Sequence, residues 1–135
     1  MANVGTIRTA LAANLSTISG LRTSAWVPDN INPPIAVIRP DSITFDAAFA
    51  RGIDDMTFLV LVIVGRVDER SAQAKLDAYC ETTGASSIKR AIESDRTLGG
   101  AVSDLRVTEM RNYTSISIGD VIYLAAEFVV QVYAQ

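Results

Sequence analysis

The length, composition and charge of the chain fit one domain and exclude several kinds of chemistry. Its 135 residues suit one domain, and 12 basic against 15 acidic residues give a net charge of −3 without the basic runs of nucleic-acid binders. Histidine is absent and cysteine occurs once, at Cys80, so an internal disulfide, an imidazole base and a histidine-based zinc site are excluded.

The chain shows neither a targeting signal nor a membrane-spanning pattern. Its N-terminus lacks the basic and apolar blocks of a signal peptide. The longest strongly apolar run, 58–65, is far too short for a membrane-spanning helix. We therefore expect a soluble protein that is made in a cytoplasm and does not contact a membrane.

The N-terminal third predicts one helix and two strands. Apolar residues recur at helical spacing at Ile7, Leu11, Leu15 and Ile18. This spacing predicts a helix over 4–19, which Gly20 ends. Short strands are expected over 21–27 and 35–38, and the second of these is closed by Pro40, as is typical of a strand at a sheet edge.

The segment 41–55 has neither a helical nor a strand period, and it is long for a connection inside one domain. We expect an arm or extended hairpin here, and we interpret Asp54 and Asp55 as a solvated loop end rather than a metal or acid–base pair, because adjacent strand residues point to opposite faces. The candidate interface residues of this segment are Asp41, Phe45, Asp46, Phe49, Arg51, Asp54 and Asp55.

The segment 56–67 is the clearest strand, and both of its faces are apolar. One face carries Leu59, Leu61, Ile63 and Val67, and the other carries Phe58, Val60, Val62 and Val64. Since side chains alternate across a sheet, two explanations are open. Either the chain covers this strand on both sides, or one face meets another subunit.

Two helices, followed by two or three strands, are expected in the remainder. Asp68 is a suitable N-cap for a helix with Ala72, Leu76, Tyr79 and Cys80 on its apolar stripe. Ser86 or Ser87 is suited to cap a short third helix, and Gly99–Gly100 marks the turn from this helix to the next strand. Strands are then expected over 102–113, around 116–118 and, after a turn at Gly119–Asp120, over 121–132, with one apolar face formed by Ile122, Leu124, Ala126, Phe128, Val130 and Val132.

These elements predict an α+β fold in a single domain. Short turns join the last strands, so they pair antiparallel. The expected architecture is a mostly antiparallel sheet of four to five strands with helices packed on one face.

No residue pattern points to catalysis, a cofactor or a metal. Cys80 lies on an apolar helix stripe, where a thiol is usually a small buried hydrophobe. The Leu98–Gly99–Gly100–Ala101 run lacks the ending of a phosphate-binding loop. Trp26 is interpreted as a core lid rather than a partner anchor, and Glu109 and Arg111 as a cross-strand ion pair or an exposed face. We expect a protein that is not an enzyme.

The chain resembles the tail terminator family of long-tailed (siphovirus-type) bacteriophages, especially those of phages of actinobacteria. The blocks that carry the resemblance are 33–37 (PPIAV), 66–73 (RVDERSAQ), 76–79 (LDAY), 87–93 (SIKRAIE), 98–102 (LGGAV), 104–107 (DLRV) and 123–128 (YLAAEF). None of them is a catalytic signature, so the specificity comes from their order and spacing. The resemblance covers nearly the whole chain and is loosest over 41–55.

The resemblance implies a fold and a role. It implies a sheet flanked by helices, in a virion protein that closes into a homohexameric ring on the finished tail tube at the head–tail neck. Such a ring ends tube polymerisation, offers a surface to the head-tail connector or stopper protein, and lets DNA pass through its lumen without sequence-specific binding. The partners would be other copies of the chain, the tail tube protein and the connector. The segment 41–55 would then lie over the adjacent subunit or the tube and bury Phe45 and Phe49.

Three alternatives stay open. A head-tail stopper or tail completion protein shares the small size and ring formation. A small ligand-binding regulatory domain would instead be a monomer or dimer with a defined pocket. An enzyme would have to work with carboxylates and with Tyr79 or Tyr113 alone, and nothing in the sequence resembles a tuned acid–base pair.

Overall fold

The helices and strands that hydrophobic periodicity predicts have defined bounds in a computed structural model of the chain. The structure describes residues 4–18, 21–24, 34–45, 54–66, 70–82, 84–100, 102–118 and 120–134. In chain order the elements are α1 (Val4–Leu15), β1 (Arg22–Ser24), β2 (Ile35–Thr44), β3 (Asp54–Arg66), α2 (Arg70–Tyr79), α3 (Ile88–Glu93), a 3₁₀ turn (Leu98–Gly100), β4 (Asp104–Ile118) and β5 (Val121–Ala134).

The strands form one sheet in the order β1-β2-β3-β5-β4. The β1–β2 pair is parallel, and the other three pairs are antiparallel. The last strand, β5, therefore inserts between β3 and β4, and the edge strands are β1 and β4. The expectation of an edge strand over 35–38 was wrong, because β1 pairs with β2 at 35–37. The predicted fold class is confirmed as an α+β domain with a five-stranded, mostly antiparallel sheet.

The helices pack on one face of this sheet and form the main core. The largest fully buried side chains of this core are Ile7, Leu11, Leu15, Ile18, Ile38, Phe58, Leu76, Ile88, Ile92 and Leu105. Each helix contributes one apolar stripe, and the strands contribute every second residue, so alternation and helical spacing meet in one cluster. The prediction of helices on one face is confirmed.

The opposite face of the sheet has a second, smaller apolar cluster. It is formed by Ile35, Val37, Ile63 and Ala125, with Leu61, Ile116 and Tyr123 against it. Leu59 and Ile63 on this face are only 2% and 1% exposed. Of the two explanations for the doubly apolar strand, the first holds at these positions, because the chain itself buries both faces of β3.

Local sequence signals correctly indicated one helix cap and one turn. Ser87 is the N-cap of α3: its hydroxyl accepts from the Arg90 N–H at 3.1 Å and donates to the Glu81 carbonyl at 2.6 Å. Gly99 and Gly100 have φ of +69° and +98°, which glycine adopts without a Cβ penalty. The predicted helix-to-strand turn at these glycines is confirmed.

Several predicted boundaries were wrong. Helix α1 ends at Leu15, since 16–18 form a turn. Pro40 does not close β2, which continues to Thr44, because the pairing shifts by a bulge between Pro40 and Ser42. The separate strands predicted over 102–113 and 116–118 are one strand, β4. Ile122 was expected on the buried face of β5 but is 50% exposed, because it lies at the hairpin end of that strand.

Four further predictions lie outside the described residues. They concern the core position of Trp26, the C-terminal stop at Gly20, the N-cap at Asp68 and the apolar contact of Val67. The same holds for Gly119 of the predicted turn between the last two strands.

Candidate assembly surface

The β2–β3 hairpin carries the residues that the sequence singled out. Its strands pair antiparallel as far as Thr44 opposite Asp55, so the predicted arm begins as an extension of the sheet. Phe45 follows directly and is 71% exposed, the highest exposure among the large apolar side chains described. Strand β2 is therefore followed directly by an aromatic side chain that belongs to neither apolar cluster of the described residues.

The four described candidate residues lie in different environments. Asp41 is at the β2 bulge and is exposed. Asp54 and Asp55 are the first residues of β3 and are half-buried, so their interpretation as a solvated loop end was wrong. The pairing of Asp55 with Tyr133 of β5 is what holds them in the sheet. Asp46, Phe49 and Arg51 lie outside the described residues.

Asp55 is tied to the neighbouring strand. Its carboxylate accepts a hydrogen bond from the Gln131 side-chain amide. The Gln131 oxygen in turn accepts from the Thr57 hydroxyl at 3.3 Å. This chain of contacts fixes the root of the hairpin, so Asp41 and Phe45 are the described candidates left facing solvent.

Strand β4 is the edge strand on the other side of the sheet from β1, and most of its outer half, residues 108–117, is exposed. From Thr108 to Ser117 every side chain except that of Ile116 is exposed, including Met110 and Tyr113 at 38% and 40%. Two bulges interrupt its pairing with β5, after Val107 and after Arg111. Such bulges disfavour uncontrolled edge-to-edge pairing and re-aim side chains.

Tyr113 links this edge to helix α2. Its hydroxyl donates to the Asp77 carboxylate at 2.7 Å. That hydrogen bond, together with partial burial and the Asp77 charge, raises the pKa of Tyr113 to about 12. A second contact at the edge is the Asn112 amide, which donates to Glu127 at 2.6 Å. Of the two alternatives for Glu109 and Arg111, a cross-strand ion pair or an exposed face, the second holds, because both are exposed and their 4.0 Å contact lies within β4 itself.

A groove of about 170 Å³ lies between β4 and the end of α2. Its apolar walls are Cys80, Val107, Met110 and Phe128, and its rim carries Glu81, Thr82, Lys89, Thr108 and Glu109. Burial, with the charges of Asp77 and Glu81, raises the pKa of Cys80 to about 11, so its thiol is neutral at pH 7. We call this feature the β4 groove.

Sequence reasoning missed the β4 groove because a bulge builds it. Strict alternation places Val107 and Met110 on opposite faces of a strand, since they are three residues apart. The bulge after Val107 shifts the register, so that Val107 pairs with Val130 and Met110 pairs with Phe128, both on the helix-covered face. The sequence gives no signal for this shift.

A larger open cleft, of about 450 Å³, lies at the other end of β3. Arg66, Lys75 and Tyr123 line it together with Pro34, Val64, Gly65 and Val121. The cleft combines two cations with an aromatic ring. It adjoins 67–69, which are outside the described residues.

Comparisons with known proteins yield no assignment. The sequence matches no family model and no curated protein. Within the described part of the chain, no three His, Cys, Asp or Glu side chains gather as a metal site would require. None of the helices in that part is long and apolar enough to cross a membrane.

Proposed function

We propose that this chain is a structural assembly protein of the tail terminator type. It would form a ring on the end of a phage tail tube, stop tube growth, and offer a surface for head joining at the neck of the virion. The observation that carries the proposal is Phe45, an aromatic side chain that directly follows β2 and is 71% exposed. Exposed aromatic anchors of this kind are typical of protein interfaces.

The fold supports the same proposal. The resemblance implies a sheet flanked by helices, and the chain has a five-stranded sheet with helices on one face. Two parts of the sheet carry different exposed features: Phe45 follows β2, which lies inside the edge strand β1, and the β4 groove lies beside the edge strand β4. Different surfaces on the two sides of one subunit suit a heterologous contact, which closes into a ring when the rotation per subunit divides the circle. The net charge of −3 suits a lumen through which DNA passes without sticking.

The direct test is electron microscopy of tail tubes assembled with and without this protein. The expected result is tubes of uniform length with a ring at one end. Tubes of unchanged length without a bound ring would remove the terminator role. Purified tails that lack heads distinguish the terminator from the head-tail stopper. A terminator is expected on those tails, and a stopper is expected to be absent from them.

A small ligand-binding domain is the second candidate, because the open cleft of about 450 Å³ is in the size range of small-molecule sites. Arg66 and Lys75 in its wall would favour an anionic ligand. This candidate predicts a monomer or dimer whose melting temperature rises with such a ligand, and an Arg66→Ala variant that loses the rise. A thermal-shift screen of small phosphates and carboxylates checks it.

A further inference from the structure

The distal part of edge strand β4 has a composition that favours pairing with another strand. Residues 113–118 (YTSISI) contain no charged residue, no proline and no glycine, and four of the six are β-branched or aromatic. Among the described strands β4 pairs only with β5, and the side chains of 113–115 and Ser117 are exposed. Exposed, uncharged edge segments of high β-propensity are sites of edge-to-edge aggregation, so this edge needs protection.

A bulge at Asn112 and Tyr113 lies at the start of this uncharged segment. The strand pairing skips both residues, so that two residues of β4 oppose one residue of β5, Ala126. Asn112 has a φ of +56°, a left-handed conformation that asparagine adopts more readily than most residues and that a regular strand does not contain. A bulge of this kind bends the edge and interrupts the ladder onto which another strand would add.

Two side-chain hydrogen bonds hold the bulge, one on each face of the sheet. On the helix-covered face, the Tyr113 hydroxyl donates to the Asp77 carboxylate of α2 at 2.7 Å. On the opposite face, the Asn112 amide donates to the Glu127 carboxylate of β5 at 2.6 Å. Glu127 lies on that face because its chain neighbours belong to the helix-covered core, and it also accepts from Arg39 of β2 at 3.5 Å. The bulge is therefore linked to a helix and, through Glu127, to two other strands.

We propose that these two hydrogen bonds form a clamp that keeps the bulge formed and the distal part of β4 closed to the addition of another strand. The clamp consists of Asn112 and Tyr113 with their acceptors Glu127 and Asp77. When both bonds are lost, the backbone at the bulge is free to straighten, and 113–118 becomes a regular edge that pairs with the same segment of a second copy. The inference goes beyond the proposed function, because it concerns the free chain and holds for any role that the folded domain has.

The test releases the clamp and measures strand addition. Asn112→Gly removes the amide but still permits the left-handed backbone, and Tyr113→Phe removes the hydroxyl. The protein with both changes is incubated beside the unchanged protein with thioflavin T, a probe of assemblies built by strand pairing, and circular dichroism checks that it is folded. The expected result is roughly tenfold faster assembly, since two partly exposed hydrogen bonds together account for about this factor in the population of the straightened edge.

A third change shows whether the assembly proceeds through β4. Ser115→Lys adds a charge to the exposed edge segment, and lysine on an edge strand prevents pairing in natural sheets. Added to the released variant, it is expected to return the assembly rate to that of the unchanged protein. Assembly that Ser115→Lys does not slow would overturn the proposal. A released variant that is folded and assembles no faster than the unchanged protein would do the same.

A second measurement leaves the sequence of β4 unchanged, and it decides the proposal even if the released variant does not fold. Asp77→Ala removes the acceptor of Tyr113 from α2. Hydrogen exchange followed by mass spectrometry is expected to be roughly threefold faster in peptides covering 108–118, because the bond restrains local opening of this edge. Thr9→Val, which removes an exposed hydrogen bond of α1, is the matched control and is expected to leave these peptides unchanged. Unchanged exchange of 108–118 in Asp77→Ala would overturn the clamp.

Discussion

Strands β3 and β4 are both long, but the first is buried and the second is open. Of the thirteen residues of β3, only Arg66 is exposed, and its apolar side chains fill both clusters of the sheet. Strand β4 is paired on one side only, and most of its outer half is exposed. The difference comes from position in the sheet. A central strand stabilises the fold, whereas an edge strand keeps a free side for a partner.

The largest expected effect is in the helix-covered core of β3. Phe58 is fully buried among helix and strand side chains. We expect Phe58→Ala to lower the free energy of unfolding by about 3–5 kcal/mol, because it removes apolar contacts and leaves a cavity. Urea denaturation measures this, with Met110→Ala on β4 as the comparison, expected to cost under about 1 kcal/mol. Equal losses in the two variants would break the contrast between the strands.

The next effect tests the second face of β3. Ile63 is 1% exposed on the face away from the helices. If the chain itself buries this face, Ile63→Ala costs about 2–4 kcal/mol in the isolated protein. Leu61→Ala, at a half-buried position on the same face, is the matched control and should cost less. A loss below about 1 kcal/mol at Ile63 would show that the face is completed only by a partner.

A smaller effect is expected where β4 is tied to α2. Tyr113→Phe removes the hydrogen bond to Asp77 and should cost about 0.5–1 kcal/mol near pH 7, since the bond is partly exposed. Hydrogen bonding to Asp77 raises the pKa of Tyr113 to about 12, above its ordinary value of 10.0. The contribution is therefore complete below pH 10 and is lost as the pH rises from 10 to 12. The free energies of unfolding of the unchanged protein and of Tyr113→Phe should converge between pH 10 and pH 12. A constant difference across that range would contradict a stabilising hydrogen bond from Tyr113 to Asp77.

The smallest effect concerns reactivity and not stability. Burial, with Asp77 and Glu81, raises the pKa of Cys80 to about 11, so little thiolate exists at pH 8. We expect alkylation of Cys80 by iodoacetamide to be at least tenfold slower in the folded protein than in urea, with a rate that rises toward pH 11. Mass spectrometry follows the reaction. A folded-state rate equal to that of the unfolded chain would show that the β4 groove wall does not form in solution.

Part of the candidate surface was readable from the sequence and part was not. The irregular composition of 41–55 pointed to Phe45 and Asp41, and both are exposed. Asp55 was placed wrongly, since its environment depends on Gln131, 76 residues away along the chain. The β4 groove was missed altogether, since it needs α2, β4 and β5 together and a bulge that changes which face Met110 occupies.

The sequence by itself determined the elements whose causes are local. Periodicity, capping and backbone freedom within a few residues account for the α1 stripe, a serine cap for α3 at 86 or 87, the Gly99–Gly100 turn and the doubly apolar β3. Only the tertiary structure decided that β5 lies between β3 and β4, that β2 passes through Pro40, and that Val107 and Met110 share a face. The reason is physical. Strand order, register and bulges depend on hydrogen bonds between distant segments, and no short stretch of sequence fixes them alone.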